Sequence, residues 1–347
     1  MSPAAAAMRA VVFHGPRDIR LEEKPVPLPG PGEVVVRIGT ALTCGTDFKA
    51  YRRGHRVLLG DPPSPFGHEM AGTVTAAGPG AEAWKPGTRV VVGNSAPCDG
   101  CYYCDRGQNF LCDRLKLHNG AYAEYNLVPA NIVRHNLHVL PDSVPFEAAA
   151  LSEPLACALH AAEEARVQRG ETAVVIGAGI MGRLLLGVLK ARGAKVIMVG
   201  RGRAGLDAAE ALGADAVFGS SDGDPVKGVQ ALTDGRGGDA VFEAVGLPVT
   251  WASALAMTRK GGRACLFGGC AAGTEVSIDA HRVHYEALTL FGVFHHTPAY
   301  FKAALGLLSS GLIASRGMVE GSIPLSDVPR YFAENADRSL PKTAVVP

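Results

Sequence analysis

Residues 172–182, with the sequence TAVVIGAGIMG, constrain the fold of this chain more than any other stretch. The apolar residues before the glycines predict a buried strand, and the apolar run after them predicts a helix. The glycines follow the pattern G-x-G-x-x-G, in which Gly177 allows a tight turn, Gly179 lets a phosphate approach the backbone and Gly182 lets the helix pack on the strand. The chain has 43 glycines, so the pattern alone is weak. Because strand and helix patterns flank it, we predict a dinucleotide-binding unit rather than an ordinary turn.

Composition limits the partners that this chain can have. Its 347 residues are 47% hydrophobic and carry a net charge of +1, which indicates a globular protein large enough for two cores. Without a run of Lys and Arg there is no electrostatic footprint for a nucleic acid, so no nucleic-acid partner is expected. No apolar stretch at the N-terminus has the length of a signal peptide or a membrane span. We therefore expect a cytoplasmic protein with reduced thiols and no membrane partner.

Four of the eight cysteines lie close together in the pattern C-x2-C-x2-C-x7-C. They are Cys98, Cys101, Cys104 and Cys112, in a stretch rich in Gly, Asp and Asn. Four thiolates without a histidine or an open position are typical of a closed, tetrahedral structural zinc site. The alternatives are an iron-sulfur cluster, which would be coloured, and small-loop disulfides, which are unexpected in a cytosolic chain.

Two shorter polar segments, Cys44–Asp47 and Gly67–Glu69, are predicted to form loops beside apolar strands. Thiolate, imidazole and carboxylate are the ligands of a catalytic zinc that keeps one position open. A lone Cys or His is more often a core residue. These two segments therefore indicate a zinc site only together with further evidence from the rest of the sequence. Glu153, just before a proline, is either a third metal ligand or an exposed acid at a helix end.

The two parts of the chain have different patterns. Up to about residue 97, short strands broken by Pro and Gly predict a β-rich domain, and strands are also expected over residues 121–139. After residue 170, strands alternate with apolar helices, which predicts a doubly wound parallel sheet. The predicted strands of this sheet are 173–176, 195–199, 216–218, 240–243, 263–267 and 288–294. The fold class is therefore α/β, with predicted domains at 1–153 plus 295–347 and at 154–294.

Five motifs in this order give the chain a family resemblance over nearly its whole length. They are Cys44-Gly-Thr-Asp47, Gly67-His-Glu69-x2-Gly72, the four-cysteine loop, Glu153-Pro-Leu155 and Gly177-x-Gly-x-x-Gly182. The chain resembles the zinc-dependent medium-chain alcohol and polyol dehydrogenases, within them the branch of the sorbitol and threonine dehydrogenases. The resemblance implies a GroES-like catalytic domain, a Rossmann domain and an active site in the cleft between them.

The resemblance also implies a catalytic metal site. Cys44, His68 and Glu153 would bind the zinc, with Glu69 beside it as an alternating ligand or an outer carboxylate, and the choice between the two glutamates stays open. Asp47 would orient His68 through its second ring nitrogen. Thr46 matches the hydroxyl that begins the family's proton relay; otherwise it is an ordinary loop hydroxyl.

The next position of the relay departs from the family. Relatives often place a histidine where this chain has Lys49. A lysine there relays a proton only if burial depresses its pKa, and a solvated cation or a phosphate contact is the favoured interpretation.

A second departure concerns the cofactor. Where relatives that bind NAD have an Asp at the end of the second Rossmann strand, this chain has Gly200, followed by Arg201 and Arg203. A missing carboxylate with guanidinium groups nearby suits the 2′-phosphate of NADP, so we predict a preference for NADP over NAD. The alternative is that both arginines are solvated. The remaining cofactor contacts expected from the resemblance are Gly177, Gly179, Ile180, Met181, Gly182, Val245, Gly268, Gly292 and Phe294.

Substrate contacts are predicted at Tyr51, His295 and His296, whose polar groups favour a sugar alcohol or cyclitol over a plain hydrocarbon alcohol. The alternative for the two histidines is a hydrogen-bonded corner between domains. Cys157, Cys265 and Cys270 lie in apolar runs and are interpreted as core residues.

The predicted activity is hydride transfer between a secondary alcohol or polyol and a nicotinamide cofactor, with two zinc ions per chain, one catalytic and one structural. A threonine-type amino-alcohol dehydrogenase and a non-catalytic zinc- and cofactor-binding relative are the alternatives. The apolar sixth strand at a sheet edge further predicts a homodimer or homotetramer.

Overall fold

The computed structural model describes residues 6–337 and 341–347. Residues 1–5 and 338–340 of the predicted first domain lie outside the described residues. The chain forms two compact units. The first unit consists of the described parts of Met1–Glu153, His296–Gly311 and Val319–Pro347, and the second of Pro154–His295 and Leu312–Met318. The second unit thus includes a short segment that the sequence analysis did not separate from the C-terminal part.

The strands follow the chain in this order. They are β1 Ala7–Gly15, β2 Asp18–Pro25, β3 Val34–Leu42, β4 Ser64–Pro65, β5 Glu69–Ala77, β6 Arg89–Val92, β7 Ser95–Ala96, β8 Lys116–Leu117, β9 Tyr125–Val128, β10 Leu137–Val139, β11 Thr172–Ile176, β12 Lys195–Gly200, β13 Ala216–Gly219, β14 Gly238–Glu243, β15 Thr258–Leu266, β16 Thr289–Gly292, β17 Val319–Pro324 and β18 Lys342–Val346.

The helices lie between the strands. They are α1 Gly45–Arg53, α2 Arg56–Leu59, α3 Ala130–Asn136, α4 Phe146–Ala150, α5 Ser152–Glu164, α6 Ile180–Ala191, α7 Arg203–Ala211, α8 Pro225–Ala231, α9 Pro248–Met257, α10 Ala280–Tyr285, α11 Pro298–Ser309 and α12 Val328–Asn335. Short 3-10 turns occupy Cys104–Arg106, Asn109–Leu111, Ser220–Asp222 and Leu325–Asp327.

The first unit is built on a seven-stranded mixed sheet in the order β10-β6-β5-β3-β18-β17, with β9 also paired to β3. A three-stranded sheet, β2-β1-β4, and the pair β7-β8 complete it. Its core contains a cluster of aromatic rings: Phe66 packs edge-to-face on Phe332 and Tyr122 lies tilted against it, with ring centroids 5.4 and 5.9 Å away. The antiparallel pairing of β3 with β5 brings the end of β3 beside Glu69, at the start of β5. The pairing thereby places Cys44, just after β3, near His68.

The second unit is a six-stranded parallel sheet in the order β13-β12-β11-β14-β15-β16. All six strands predicted from the sequence are present, with ends that differ by a few residues. Because the order reverses between β11 and β14, the carboxyl ends of these two strands flank the crevice where doubly wound sheets bind ligands. The predicted α/β fold class is therefore confirmed. The sixth strand, β16, lies at the edge as expected, and association of a second subunit there stays a prediction.

Two local predictions are wrong. Residues 130–136, expected to be a strand, form helix α3, because Pro129 introduces the helix with φ −65° and the buried residues Ile132 and Asn136 recur at the helical spacing of four. The segment at Cys44, expected to be a loop, begins helix α1.

No helix in the described part of the chain has the length and apolar character needed to cross a membrane.

Candidate functional site

Cys44 is the N-cap residue of helix α1. Its Sγ accepts a hydrogen bond from the backbone N–H of Thr46 at 3.5 Å, and its own N–H donates to Asp47 Oδ2 at 3.2 Å. This reciprocal arrangement is a capping box, with sulfur in the place that an oxygen usually takes. The helix start therefore fixes the direction of the thiol.

Asp47 connects this helix start to His68. Its Oδ1 lies 2.8 Å from His68 Nδ1, which leaves Nε2 as the ring nitrogen available to a metal. Burial acts to lower the pKa of His68, but the Asp47 carboxylate outweighs it and raises the pKa well above its ordinary value. Zinc binds an imidazole nitrogen that carries no proton, so a raised pKa of His68 makes metal binding dependent on pH.

Tyr122 completes this network. Its hydroxyl donates to Asp47 Oδ2 at 2.5 Å and lies 3.2 Å from the carbonyl oxygen of Leu42. Burial of the ring and the neighbouring Asp47 carboxylate raise the pKa of Tyr122 well above its ordinary value, so the phenol stays protonated and remains a donor. The sequence analysis missed this residue because it lies 75 positions from Asp47 along the chain.

Cys44, His68 and Glu69 offer ligand atoms that all lie within 4.8 Å of one another. We call these three residues the metal group. Thiolate, imidazole and carboxylate in this proximity fit the chemistry of zinc. Glu69 is fully buried, and both of its oxygens accept from Lys342 Nζ, at 2.6 and 2.5 Å. Sequence reasoning missed Lys342, which gave no local signal.

Lys342 is itself buried and also donates to the carbonyl oxygen of Thr43 at 3.0 Å. Burial acts to lower the pKa of Lys342, but the Glu69 carboxylate outweighs it and raises the pKa above its ordinary value. The amine therefore stays charged, and it competes with a metal for the Glu69 oxygens.

Glu153, the third ligand suggested by the resemblance, is not part of the metal group. It is only 8% exposed, near the start of α5, so it is not an exposed helix-end acid. Its Oε1 accepts from Asn94 Nδ2 at 3.1 Å and lies 3.8 Å from Nε2 of His296. His296 is also buried and lies 3.2 Å from Asn94 Oδ1. Direct ligation by Glu153 stays a prediction.

Replacing Tyr122 with phenylalanine tests the Asp47 network without removing the buried ring. We expect the affinity for the metal bound by Cys44 and His68 to fall about 10-fold, since Asp47 loses a donor that holds it against His68. Competition with a chromophoric chelator measures this affinity. The control is Tyr125→Phe, which removes a hydroxyl outside the network. Equal affinities in the two variants would contradict a positioning role for Tyr122.

The four loop cysteines form a second group, with sulfur atoms within 4.8 Å of one another. Cys98 Sγ and Cys104 Sγ lie 3.9 Å apart, and a tetrahedron with zinc-sulfur bonds of 2.3 Å has edges of about 3.8 Å. All eight cysteines of the chain are free of disulfides. The geometry therefore fits a metal far better than a disulfide pair.

Backbone donors prepare this loop for a metal. The N–H of Gly100 lowers the pKa of Cys98 to about 6, and the N–H groups of Cys104 and Asp113 lower the pKa of Cys101. Burial raises the pKa of Cys112 to about 12, so this thiol needs the metal itself to deprotonate.

The glycine turn has the expected geometry. Gly177 has φ +113°, which a side chain would strain. A Cβ on Gly182 would lie 1.8 Å from the carbonyl oxygen of Gly177, so only glycine lets α6 pack on the turn. Gly179 is the N-cap of α6, has no capping side chain and has open space around its Cα. The N–H groups at the start of α6, including those of Ile180 and Met181, can therefore receive a pyrophosphate.

A buried glutamate orders the loop after β14. Glu243 Oε1 accepts from the backbone N–H groups of Val245 and Gly246 at 2.9 and 2.8 Å. A Cβ on Gly268 would lie 2.3 Å from the nitrogen of Gly246, so the two loops after β14 and β15 approach closely. The predicted contacts Val245 and Gly268 thus lie at the carboxyl end of the sheet, while Gly292 ends β16 and Phe294 is 55% exposed beyond it.

The two arginines after β12 differ in their surroundings. Arg203 is in ion pairs within α7, with Asp207 at 2.6 Å and Glu210 at 2.9 Å. Arg201 is exposed and, within residues 6–337 and 341–347, has no ion pair. Of the two, only Arg201 has a guanidinium free for an added phosphate.

The other predicted site residues have varied surroundings. Tyr51 is only 4% exposed and packs on Phe332 with centroids 5.8 Å apart, which gives it a core role; its substrate role stays a prediction. His295 has φ +58°, and its carbonyl oxygen lies 2.8 Å from His160 Nδ1. Thr46 and Lys49 are half-buried on α1. Of the three cysteines interpreted as core residues, Cys265 is fully buried, whereas Cys157 and Cys270 are half-buried.

Comparison with known proteins shows the class to which this fold and site belong. Residues 30–142 match the alcohol dehydrogenase GroES-like domain, and residues 181–310 match the zinc-binding dehydrogenase family. The sorbitol dehydrogenase of Bacillus subtilis is 30% identical over 321 residues, which cover 90% of this chain and 89% of that protein. The L-threonine 3-dehydrogenase of Pyrococcus abyssi is 36% identical over 280 residues, covering 79% of this chain and 78% of that protein.

A solved structure agrees with these matches. A zinc-binding dehydrogenase of Sinorhizobium meliloti 1021 bound to NADP superposes with a TM-score of 0.92 at 28% identity, over 99% of this chain and 100% of that one. The chain is thus an oxidoreductase of the alcohol dehydrogenase class. It belongs to the zinc-type medium-chain alcohol and polyol dehydrogenase family, whose members act on small alcohols or polyols.

Proposed function

We propose that this protein transfers a hydride between a secondary alcohol or polyol and NADP, with a catalytic zinc bound by Cys44, His68 and a glutamate. The observation that carries this proposal is the metal group, whose ligand atoms lie within 4.8 Å of one another. Its donor set is that of a catalytic zinc, and Asp47 holds the imidazole in the required orientation. The four-cysteine loop would hold a second, structural zinc.

The chain's own residues have distinct roles in this proposal. A zinc held there would supply a Lewis acid that lowers the pKa of an alcohol, and a bound nicotinamide would supply the hydride donor or acceptor. Cys44 and His68 hold the metal position, while the Thr46 hydroxyl, two residues after Cys44, begins the path by which a proton leaves. Lys342 forms an ion pair with Glu69 and holds its carboxylate beside the metal position. The N–H groups at the start of α6 bind the pyrophosphate.

A panel of polyols, cyclitols and amino alcohols, assayed with NADP and with NAD, tests the proposal. We expect turnover of polyols or cyclitols that depends on zinc. The 36% identity to a threonine dehydrogenase favours an amino-alcohol substrate as the second candidate, and it would be identified by turnover that requires a substrate ammonium. No turnover across the panel with zinc-loaded protein would contradict both and favour a non-catalytic relative.

The preference for NADP is expected to depend on Arg201. Arg201→Ala should lower kcat/KM with NADP roughly 10- to 100-fold, because a hydrogen bond to a charged group contributes about 1.5–3 kcal/mol. The value with NAD should change by less than about 2-fold, since NAD has no 2′-phosphate. Arg203→Ala is the matched control, as its guanidinium is already paired with Asp207 and Glu210. A wild-type preference for NAD, or an equal loss with both cofactors, would contradict this assignment.

A further inference from the structure

A second polar cluster lies in the first unit, outside the metal group. It consists of Asn94, between β6 and β7, Glu153, the second residue of α5, and His296, two residues before α11. All three residues are buried, with exposed fractions of 3%, 8% and 2%. Buried polar groups need partners inside the protein, so the contacts among these three side chains determine their orientation.

The pairing of β5 with β6 places Asn94 near His68. The two strands are antiparallel, and Met70 of β5 lies opposite Val92 of β6. The chain just before Met70 and the chain just after Val92 therefore lie at the same end of the sheet, which puts Asn94 alongside His68. The backbone is fixed at this point, because the carbonyl oxygen of Asn94 accepts from the N–H of His118 at 2.7 Å.

The Asn94 amide bridges the other two side chains of the cluster. Its Nδ2 donates to Glu153 Oε1 at 3.1 Å, and its Oδ1 lies 3.2 Å from His296 Nε2. The assignment of the amide nitrogen follows from its partner, since an ionised carboxylate accepts hydrogen bonds and does not donate them. His296 Nε2 must then carry a proton and donate it to Oδ1. One amide thus fixes both the carboxylate and the ring.

Glu153 and Glu69 differ in what a metal would have to displace from them. The ammonium group of Lys342 donates to both oxygens of Glu69. Among the described residues, only Oε1 of Glu153 accepts a hydrogen bond, and its donor is the neutral Asn94 amide. His296 Nε2 lies 3.8 Å from the same oxygen. A metal that binds Glu153 Oε2 would therefore break no hydrogen bond within the described part of the chain.

We propose that Asn94 is a positioning residue of the metal site. By holding Oε1, its amide orients the Glu153 carboxylate and leaves the other oxygen, Oε2, for the metal that Cys44 and His68 bind. His296 supports Asn94 from the other side of the amide. This inference rests on the proposed function, in which the glutamate that completes the site is left open.

Cobalt in place of zinc makes the metal site measurable by visible absorption in the full-length protein. The four loop cysteines are intact in every variant, so differences between spectra report on the other metal position. Cys44→Ser is the reference that lacks this metal. Asn94→Leu has a side chain of similar size without the amide. It should shift the visible bands and weaken cobalt binding about 10-fold, an effect typical of losing the hydrogen-bond partner of a metal ligand.

A double variant tests whether Asn94 acts through Glu153. When Asn94→Leu is added to Glu153→Ala, cobalt binding should weaken by less than about 2-fold further, since both changes remove the same contact. Asn94→Asp serves if the leucine variant does not fold. It has the same size and still accepts from His296, but its carboxylate cannot donate to Glu153, so its spectrum should also shift.

The matched control is Asn126→Leu. Asn126 is another buried amide of the first unit, and it contacts His118 rather than Glu153, so this variant should keep the wild-type cobalt spectrum. An unchanged spectrum and affinity in Asn94→Leu would overturn the proposal, as would a loss that adds in full to that of Glu153→Ala. Either result leaves the proposed function standing, because the wild-type protein still binds the second cobalt. If the wild-type protein binds cobalt only at the cysteine loop, the proposed function fails together with this assignment.

Discussion

Cys44→Ser should remove one of two zinc equivalents per chain and lower turnover at least ~1000-fold. Serine is a preferred N-cap residue, so its oxygen can replace Sγ as the acceptor for the Thr46 N–H and preserve helix α1. It is a poor zinc ligand at neutral pH, because its hydroxyl keeps its proton. A lost Lewis acid is worth several kcal/mol of transition-state stabilisation, and each 1.36 kcal/mol is about a factor of ten in rate.

Elemental analysis of zinc per chain, measured together with kcat and the melting temperature, tests this expectation. The matched variant is Cys104→Ser, which removes a ligand of the loop group and should lose the other zinc equivalent while Cys44 and His68 keep theirs. Two single losses that add up to both metals would support two independent sites. If Cys44→Ser retains both zinc ions and full turnover, the metal group is not the reaction centre.

Most features that could be predicted from the sequence are encoded by residues close together along the chain. The glycine turn and the cysteine loop each lie within about fifteen consecutive residues, so their spacing alone limits the geometry. The six strands of the second unit follow for the same reason, since buried parallel strands are nearly continuous apolar runs. The class of fold could therefore be inferred before any contact was known.

The contacts that define the site could not be inferred in this way. Tyr122 reaches Asp47 across 75 positions, and Lys342 reaches Glu69 across 273, so neither pair leaves a spacing pattern in the sequence. The ion pairs of Arg203 show the opposite case. Asp207 and Glu210 follow Arg203 at helical spacing. This spacing alone predicts that the Arg203 guanidinium is paired with carboxylates of its own helix.

The two glutamates show how long-range contacts change an interpretation. The resemblance placed Glu153 with Cys44 and His68 and Glu69 beside them, and left open which of the two glutamates binds the metal. Yet Glu69 is the carboxylate that lies with Cys44 and His68, and Lys342 already occupies both of its oxygens. Whether Glu69 binds the metal therefore depends on how firmly Lys342 holds it.

Lys342→Met should destabilise the protein by about 3–5 kcal/mol, the usual effect of leaving a buried charge without its partner. Lys342 is 2% exposed and Glu69 is 0% exposed, so water cannot replace the lost ammonium group. Methionine has a similar length and fills the same space. We expect the melting temperature to fall by roughly 10 °C at neutral pH.

The loss of stability in Lys342→Met should depend on pH, because the ionisation of the Glu69 carboxyl determines how large it is. Burial raises the pKa of Glu69, and removal of the neighbouring cation raises it further. A folded-state pKa above the unfolded value means that folding favours the protonated acid, so the variant's deficit should be small below about pH 4.5 and should grow as the pH rises. Thermal unfolding at pH 5 and pH 8 measures this difference.

The double variant Lys342→Met/Glu69→Gln, which buries no charge at this position, should recover most of the stability at pH 8. A deficit that is the same at both pH values, or that the double variant does not repair, would show that Lys342 contributes by packing alone and leaves Glu69 free to act as a metal ligand.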